Sequence, residues 1–81
     1  MNIKINYLNK EWKKQHSIHA DMCNYAIQIS KPTERIGFYE NIILTDKYTD
    51  VESAVKKAND VQEILKVIDS YIQVSVIESL I

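Results

Sequence analysis

TDVESAVKKANDVQEILKVI, residues 49–68, is the stretch that decides the fold. It opens with Thr49 and, three residues later, Glu52, a spacing that predicts a capping box at a helix N-terminus. Apolar residues then recur at helical spacing along the rest of the stretch: Val51, Ala54, Val55, Ala58, Val61, Ile64, Leu65 and Ile68. This pattern predicts one amphipathic helix that ends near residue 68 and turns these apolar side chains toward a core; the alternative is a kink at Asn59 and Asp60, where Asp60 and Glu63 could open a second helix.

Segments of alternating apolar and polar residues flank this helix on both sides, and this period predicts β-strands. Four segments share it: residues 2–8, 24–30, 36–45 and 71–80. The alternation in the third of them breaks at Glu40, where we expect a β-bulge. A turn at Pro32 separates the second strand from the third, because proline cannot continue a hydrogen-bonded ladder.

A second, shorter helix is predicted after the first strand, with Asn9 as its N-cap. The element order is then β-α-β-β-α-β, typical of the ferredoxin-like fold, and we expect a four-stranded antiparallel sheet with two helices on one face. If residues 9–22 form a loop instead, the sheet carries one helix. In both cases the fold class is α+β, and residues 1–81 form a single domain.

The composition argues against several classes of protein. The net charge is −1, with 10 basic and 11 acidic residues, whereas proteins that bind nucleic acid through its phosphates usually carry a basic excess. The single cysteine, Cys23, cannot form an intramolecular disulfide, and we therefore expect a cytoplasmic protein. No apolar run approaches the ~20 residues of a membrane span, and we expect no membrane partner.

The first candidate cluster for chemistry in the sequence is His16, His19 and Cys23. Spacings of i, i+3 and i+7 would put them on one side of a helix, where they could bind zinc or form a Cys/His nucleophile pair. No second pair of ligands and no glycine-rich turn accompanies them. We therefore expect no metal site, no cofactor and no enzymatic activity.

Aromatic and acidic residues are the candidates for contact with a partner. Exposed aromatic side chains are common hot spots of protein interfaces, and acids gather before and within the N-terminus of the main helix. The predicted partner-binding residues are three aromatic and three acidic side chains: Trp12, Tyr39, Tyr48, Asp46, Asp50 and Glu52.

The sheet offers two further surfaces. Alternation assigns to the face away from the helices a charge-poor set of side chains: Lys4, Asn6, Ala26, Gln28, Tyr39, Asn41, Tyr71, Gln73 and Ser75. The last strand is charge-poor as well, since residues 72–81 contain one charge, Glu78. In a ferredoxin-like sheet this strand lies at the edge, where missing charges favour pairing with another copy. One expectation is therefore a homodimer through the C-terminal edge strand; the alternative is that the N-terminal segment covers this strand.

The sequence predicts a non-enzymatic protein-binding module that covers a surface of a larger protein or complex. Its small size and its excess of residues with AT-rich codons favour, by analogy, an inhibitor or regulator from a phage or mobile element, for example one acting on a bacterial defence system. One alternative is a nucleic-acid-binding module that uses the open sheet face. Another is a small enzyme or metal protein centred on His16, His19 and Cys23.

Overall fold

A computed structural model describes residues 3–81 as a four-stranded mixed β-sheet with two α-helices, and the α+β class is confirmed. In chain order the elements are β1 (Lys4–Asn6), α1 (Lys10–Gln15), a 3-10 turn (Ala20–Met22), β2 (Cys23–Pro32), β3 (Tyr39–Ile43), α2 (Val51–Ile68) and β4 (Gln73–Leu80). The strand order is β1-β4-β2-β3. The predicted purely antiparallel sheet is wrong, because β1 runs parallel to β4; the other two pairings are antiparallel.

β4 lies inside the sheet, so the prediction that the C-terminal strand forms an edge is wrong. The element order β-α-β-β-α-β is present along the chain, but the ferredoxin-like arrangement of the strands is not confirmed. Every residue of β4 pairs with β2, from Ser30 opposite Gln73 to Cys23 opposite Leu80. β1, in the N-terminal segment, pairs with the other side of β4 at Ser75, Val76 and Ile77, which is the alternative that the sequence left open. The strand is charge-poor because neighbours cover it on both sides, as is usual for an interior strand.

The core forms where α2 packs on β2 and β4. Ala54 and Ala58 are fully buried on α2, and their small side chains bring the helix close to Ile27 and Val76. α2 is continuous from Val51 to Ile68, as the periodicity predicts. Two of the apolar positions assigned to its core face, Ile64 and Ile68, are instead exposed.

The N-cap of α2 is Asp50, one residue later than the predicted Thr49. One carboxylate oxygen of Asp50 accepts from the Glu52 backbone N–H at 3.2 Å, and the other accepts from the Ser53 hydroxyl at 2.8 Å and the Ser53 N–H at 3.3 Å. The hydrogen bond from the Ser53 hydroxyl, followed by that from the Glu52 N–H, lowers the pKa of Asp50. Asp50 outcompetes Thr49 because a carboxylate accepts several donors at once.

α1 is shorter than the predicted helical segment. The Asn9 side chain accepts from the Trp12 backbone N–H at 3.0 Å, which confirms the predicted N-cap. The helix ends at Gln15, and Ser17 has a positive φ of 55°, a conformation that continues no right-handed helix. The 3-10 turn then leads directly into β2.

β3 is regular where a bulge was predicted. It pairs residue by residue with β2, from Ile43 opposite Gln28 to Tyr39 opposite Pro32, with Glu40 in register. The predicted strand began too early, because Ile36 lies in the hairpin turn and is 100% exposed. The pairing is interrupted only after Leu44 and resumes where Tyr48 bridges Tyr25.

The position of the α2 cap can be tested with two alanine substitutions. We expect Asp50→Ala to lower the melting temperature by a few °C, on the order expected for loss of an N-cap, and Thr49→Ala to leave it nearly unchanged. The difference between Asp50→Ala and the wild type should be present above about pH 4 and shrink as the pH falls, since the pKa of Asp50 is lowered in the folded state. Thermal melts followed by circular dichroism measure both; a larger effect at Thr49 would contradict the assignment.

Candidate protein-binding surfaces

The register of β2 defines two ends of the sheet. The α1 end contains Cys23, Tyr25 and its cross-strand neighbour Glu78, and the hairpin end contains Pro32 and its neighbour Tyr39. Tyr25 and Pro32 are separated by seven residues of one strand, which corresponds to about 23 Å. Side chains at the two ends therefore belong to different surfaces.

The predicted partner-binding residues fall into two groups at these ends. Tyr39 lies at the hairpin end, and the others lie at the α1 end or on α1 itself: Trp12, Asp46, Tyr48, Asp50 and Glu52. Tyr48 packs against the core, and the Asp50 carboxylate is held by the cap. Of the predicted partner-binding residues at the α1 end, Asp46, Glu52 and the partly exposed Trp12 have side chains that remain available for contact with a partner.

An ion pair joins α1 to the sheet. Lys13 Nζ lies 3.0 and 3.2 Å from the two carboxylate oxygens of Glu78, and the Leu8 backbone N–H donates to Glu78 Oε1 at 2.8 Å. Glu78 is buried, with a side chain only 4% exposed. The hydrogen bond from the Lys13 ammonium to the Glu78 carboxylate raises the pKa of Lys13. Burial, and then the nearby Glu78, raises the pKa of the Tyr25 hydroxyl.

This ion pair is the main attachment of α1, because α1 itself has no buried residue. Both carboxylate oxygens of Glu78 are already occupied by donors from its own chain. The charge that stood out in the last strand therefore has a structural role in this arrangement. The Cys23 thiol lies on the same face of the sheet, and its Sγ donates to the His19 carbonyl at 3.8 Å.

The cluster of His16, His19 and Cys23 does not form the arrangement that its spacing suggested. α1 ends before His16, so the three residues do not share one helix face. His16 Nδ1 lies 2.9 Å from the Trp12 carbonyl, and Cys23 contacts the backbone of His19. Within residues 3–81, no group of three histidine, cysteine or carboxylate side chains could hold a metal ion.

The hairpin end carries a set of exposed apolar side chains that we call the apolar end: Ile36, Ile64, Val67, Ile68 and Tyr71. Ile36 comes from the β2–β3 turn, and the others come from the last turns of α2 and the loop that follows. The register brings these segments to one end, since β4 begins opposite Ser30 and β3 begins opposite Pro32. Val67 is 87% exposed and Ile68 75%, so these side chains contribute little to the core.

The sequence reading missed this surface because it assigned Ile64 and Ile68 to the core face of α2. A signal was present in the spacing. Ile64, Leu65, Val67 and Ile68 occupy four of five consecutive positions, which covers a wider arc than one face of a helix can bury. Leu65 packs against the core, and its three neighbours face outward.

The sheet face opposite α2, the open face, has the composition that the alternation predicts. The register places on it all the predicted strand residues: Lys4, Asn6, Ala26, Gln28, Tyr39, Asn41, Gln73 and Ser75. Tyr71 lies in the loop before β4. Ala26 is fully buried among its neighbours, and the Ser30 hydroxyl donates to Asn41 Oδ1 at 2.7 Å. The open face is therefore a polar surface on which two apolar side chains of β3, Tyr39 and Ile43, are exposed.

Comparisons with protein-family models, with curated proteins and with solved structures yield no match. In the part of the chain that the structure describes, no helix combines the length and the apolar character needed to cross a membrane. The surfaces described above are thus the observations on which a functional proposal can rest.

The attachment of α1 can be tested by a double-mutant cycle. Lys13→Met leaves the buried Glu78 carboxylate without its cation, so we expect a lower denaturation midpoint and faster modification of the Cys23 thiol, on the order of tenfold or more. Adding Glu78→Gln removes the uncompensated charge and should restore part of both losses. Lys14→Met is the control on the same helix. Equal effects of Lys13→Met and Lys14→Met would contradict the role of the ion pair.

Proposed function

We propose that this chain is a non-enzymatic protein-binding module that attaches to a larger protein through its apolar end. The observation that carries the proposal is the exposure of this set, in which Ile36 is 100% and Val67 87% exposed. With about 100 Å² for an aliphatic and about 200 Å² for an aromatic side chain, the five residues expose roughly 500 Å² of apolar surface.

That area is the sum over five side chains that share one end of a domain of 81 residues, and it matches the largest apolar patch that a monomer usually exposes. The largest apolar patch on a typical monomer covers about 300–600 Å² and often has a function, and each partner in a standard interface loses about 800 Å². The apolar end could supply most of one side of such an interface. Charged residues of the hairpin and of α2, including Arg35 and Lys66, would form the polar rim of this interface.

A narrower form of the proposal is an inhibitor or regulator carried by a phage or mobile element, for example one directed at a bacterial defence system. Small size and codon-related composition are its only support. We also propose that the module acts in the cytoplasm, which is consistent with a buried free thiol at Cys23. The acidic side chains Asp46 and Glu52 at the α1 end are a second candidate contact, suited to a basic partner surface.

The alternative function is nucleic-acid binding by the open face. Its support is the register, which places Lys4, Tyr39 and the amides Gln28 and Asn41 on one uncovered face. Tyr39 is 53% exposed and could stack on a base. The net charge of −1 weighs against this function.

The proposal is tested by affinity capture from lysate of the native host, with and without nuclease. We expect a protein at near-stoichiometric amount that survives nuclease treatment. With the double variant Ile64→Lys/Ile68→Lys, the amount of captured protein should fall by about tenfold or more, because two charges enter an apolar contact. The fold should tolerate both lysines, since the two positions are exposed. Asp46→Lys/Glu52→Lys is the matched control at the α1 end and should retain the partner.

Each other result points to a different surface. Loss of the partner in Asp46→Lys/Glu52→Lys alone would move the contact to the α1 end and contradict the apolar-end proposal. Recovery of nucleic acid, reduced by Lys4→Ala or Tyr39→Ala and by added salt, would favour the alternative function.

A further inference from the structure

The outer edge of β3 presents unpaired backbone groups. Antiparallel strands alternate between residues that bond the neighbouring strand and residues that face away from it. Leu44 N–H donates to the Ile27 carbonyl and Thr33 N–H donates to the Phe38 carbonyl, so Phe38, Glu40, Ile42 and Leu44 are the positions directed at β2. Tyr39, Asn41 and Ile43 therefore point their N–H and C=O groups outward. Nothing among residues 3–81 pairs with this edge.

The edge lacks the usual devices that prevent strand association. Edge strands are commonly blocked by proline, by several charges or by a bulge. β3 is regular, contains no proline and has one charge, Glu40, which stands opposite Lys31 of β2. On the open face, Tyr39 and Ile43 are 53% and 52% exposed beside the outward backbone groups. A strand of the right register would find both hydrogen-bonding and apolar partners here.

We propose that the occupant of this edge is a second copy of the chain, with β3 pairing antiparallel to β3 of its partner about a two-fold axis at Asn41. This pairing places Tyr39 opposite the partner's Ile43 and Asn41 opposite the partner's Asn41. All three outward residues then form hydrogen-bonded pairs, so the three N–H and three C=O groups of each edge find partners. The two sheets merge into one of eight strands.

Side-chain complementarity favours this register over a shift toward the hairpin. On the face of α2, Phe38 lies opposite the partner's Leu44, an aromatic–aliphatic pair like that of Tyr39 with the partner's Ile43 on the open face; such pairs stabilise sheets. Glu40 lies opposite the partner's Ile42. A shift by one hydrogen-bonded step toward the hairpin would place Glu40 directly opposite the partner's Glu40, and like charges in this position destabilise a sheet.

The interface is small, so the dimer is concentration-dependent. The four apolar side chains at the edge, Phe38, Tyr39, Ile42 and Ile43, are between 43% and 60% exposed, and together they expose on the order of 300 Å². With the strand backbone, this stays below the roughly 800 Å² per partner of a standard interface. We expect dissociation in the micromolar range or above. The dimer is separate from the apolar end, which contributes no residue to the pairing.

Cysteine crosslinking tests the register. In a Cys23→Ser background, Asn41→Cys should form an intermolecular disulfide under mild oxidation, because Cα atoms of a hydrogen-bonded antiparallel pair lie about 5.5 Å apart, within disulfide range. Tyr39→Cys is the matched control. The two copies of residue 39 would lie about 14 Å apart along the paired strands, so no comparable crosslink should form. Efficient crosslinking of Tyr39→Cys with none at Asn41→Cys would overturn the register.

Sedimentation of the full chain tests the dimer itself. The wild type should shift from monomer to dimer as its concentration rises to about 1 mM. Asn41→Pro removes an outward N–H that β2 does not use, and Asn41→Lys adds charge without a backbone change; each should weaken association by about tenfold or more. Ile64→Lys/Ile68→Lys should dimerise normally, which separates this proposal from the proposed function. A wild type that stays monomeric, or a dimer that persists in both Asn41 variants, would overturn the inference.

Discussion

The pairing of β2 with β4 is the interaction on which the rest of the structure depends. Eight consecutive residue pairs join the two strands, and α2 packs on both of them through Ala54 and Ala58. A helix with its side chains is about 10 Å wide and strands lie about 4.8 Å apart, so one helix covers about two strands. The sheet has four. β1 and β3 flank these two strands, and on the β1 side Ile5 still packs against the core.

At the α1 end of β2 and β4, the chain supplies additional cover from its own N-terminal part. Lys13 and Leu8 reach the buried carboxylate of Glu78 and hold the short helix α1 near Tyr25 and Cys23. On the side of β3 there is no equivalent segment among residues 3–81, and Ile42 stays 43% exposed although it faces the helix side of the sheet. The exposed β3 edge is a consequence of this uneven cover, whereas the apolar end is formed by the β2–β3 turn, the last turns of α2 and the loop that follows. They are distinct surfaces, and a dimer formed through the edge would carry two copies of the apolar end.

The sequence predicted the elements better than their arrangement. The periodicity of α2 and the alternation in β2 and β4 survive folding because each reflects one buried face. The strand order could not be predicted in this way, since a low number of charges in a strand such as β4 is compatible both with an edge strand that associates with another chain and with an interior strand. α1 ended early because Ser17 adopts a left-handed conformation that no helical pattern reveals. The candidate site was missed because the helical spacing of apolar residues assigned Ile64 and Ile68 to the core face of α2.

Some of the predicted contact residues have side chains that already make structural contacts within the fold. Asp50 serves as a helix cap and Tyr48 packs against the core, while Tyr39 lies on the exposed strand that we assign to self-association. Sequence patterns report which residues suit an interface, but they do not show which of these residues the structure has already used.

Backbone amide exchange, resolved by residue with NMR, tests the central claim that β4 is an interior strand and β3 an uncovered edge. The account predicts strong protection along β2 and β4, and protection of the Glu40 and Ile42 amides in dilute protein. The outward amides of Tyr39, Asn41 and Ile43 should exchange fast when dilute and slow down as the protein concentration rises. Fast exchange along β4, or strong protection of the three outward amides at every concentration, would contradict it.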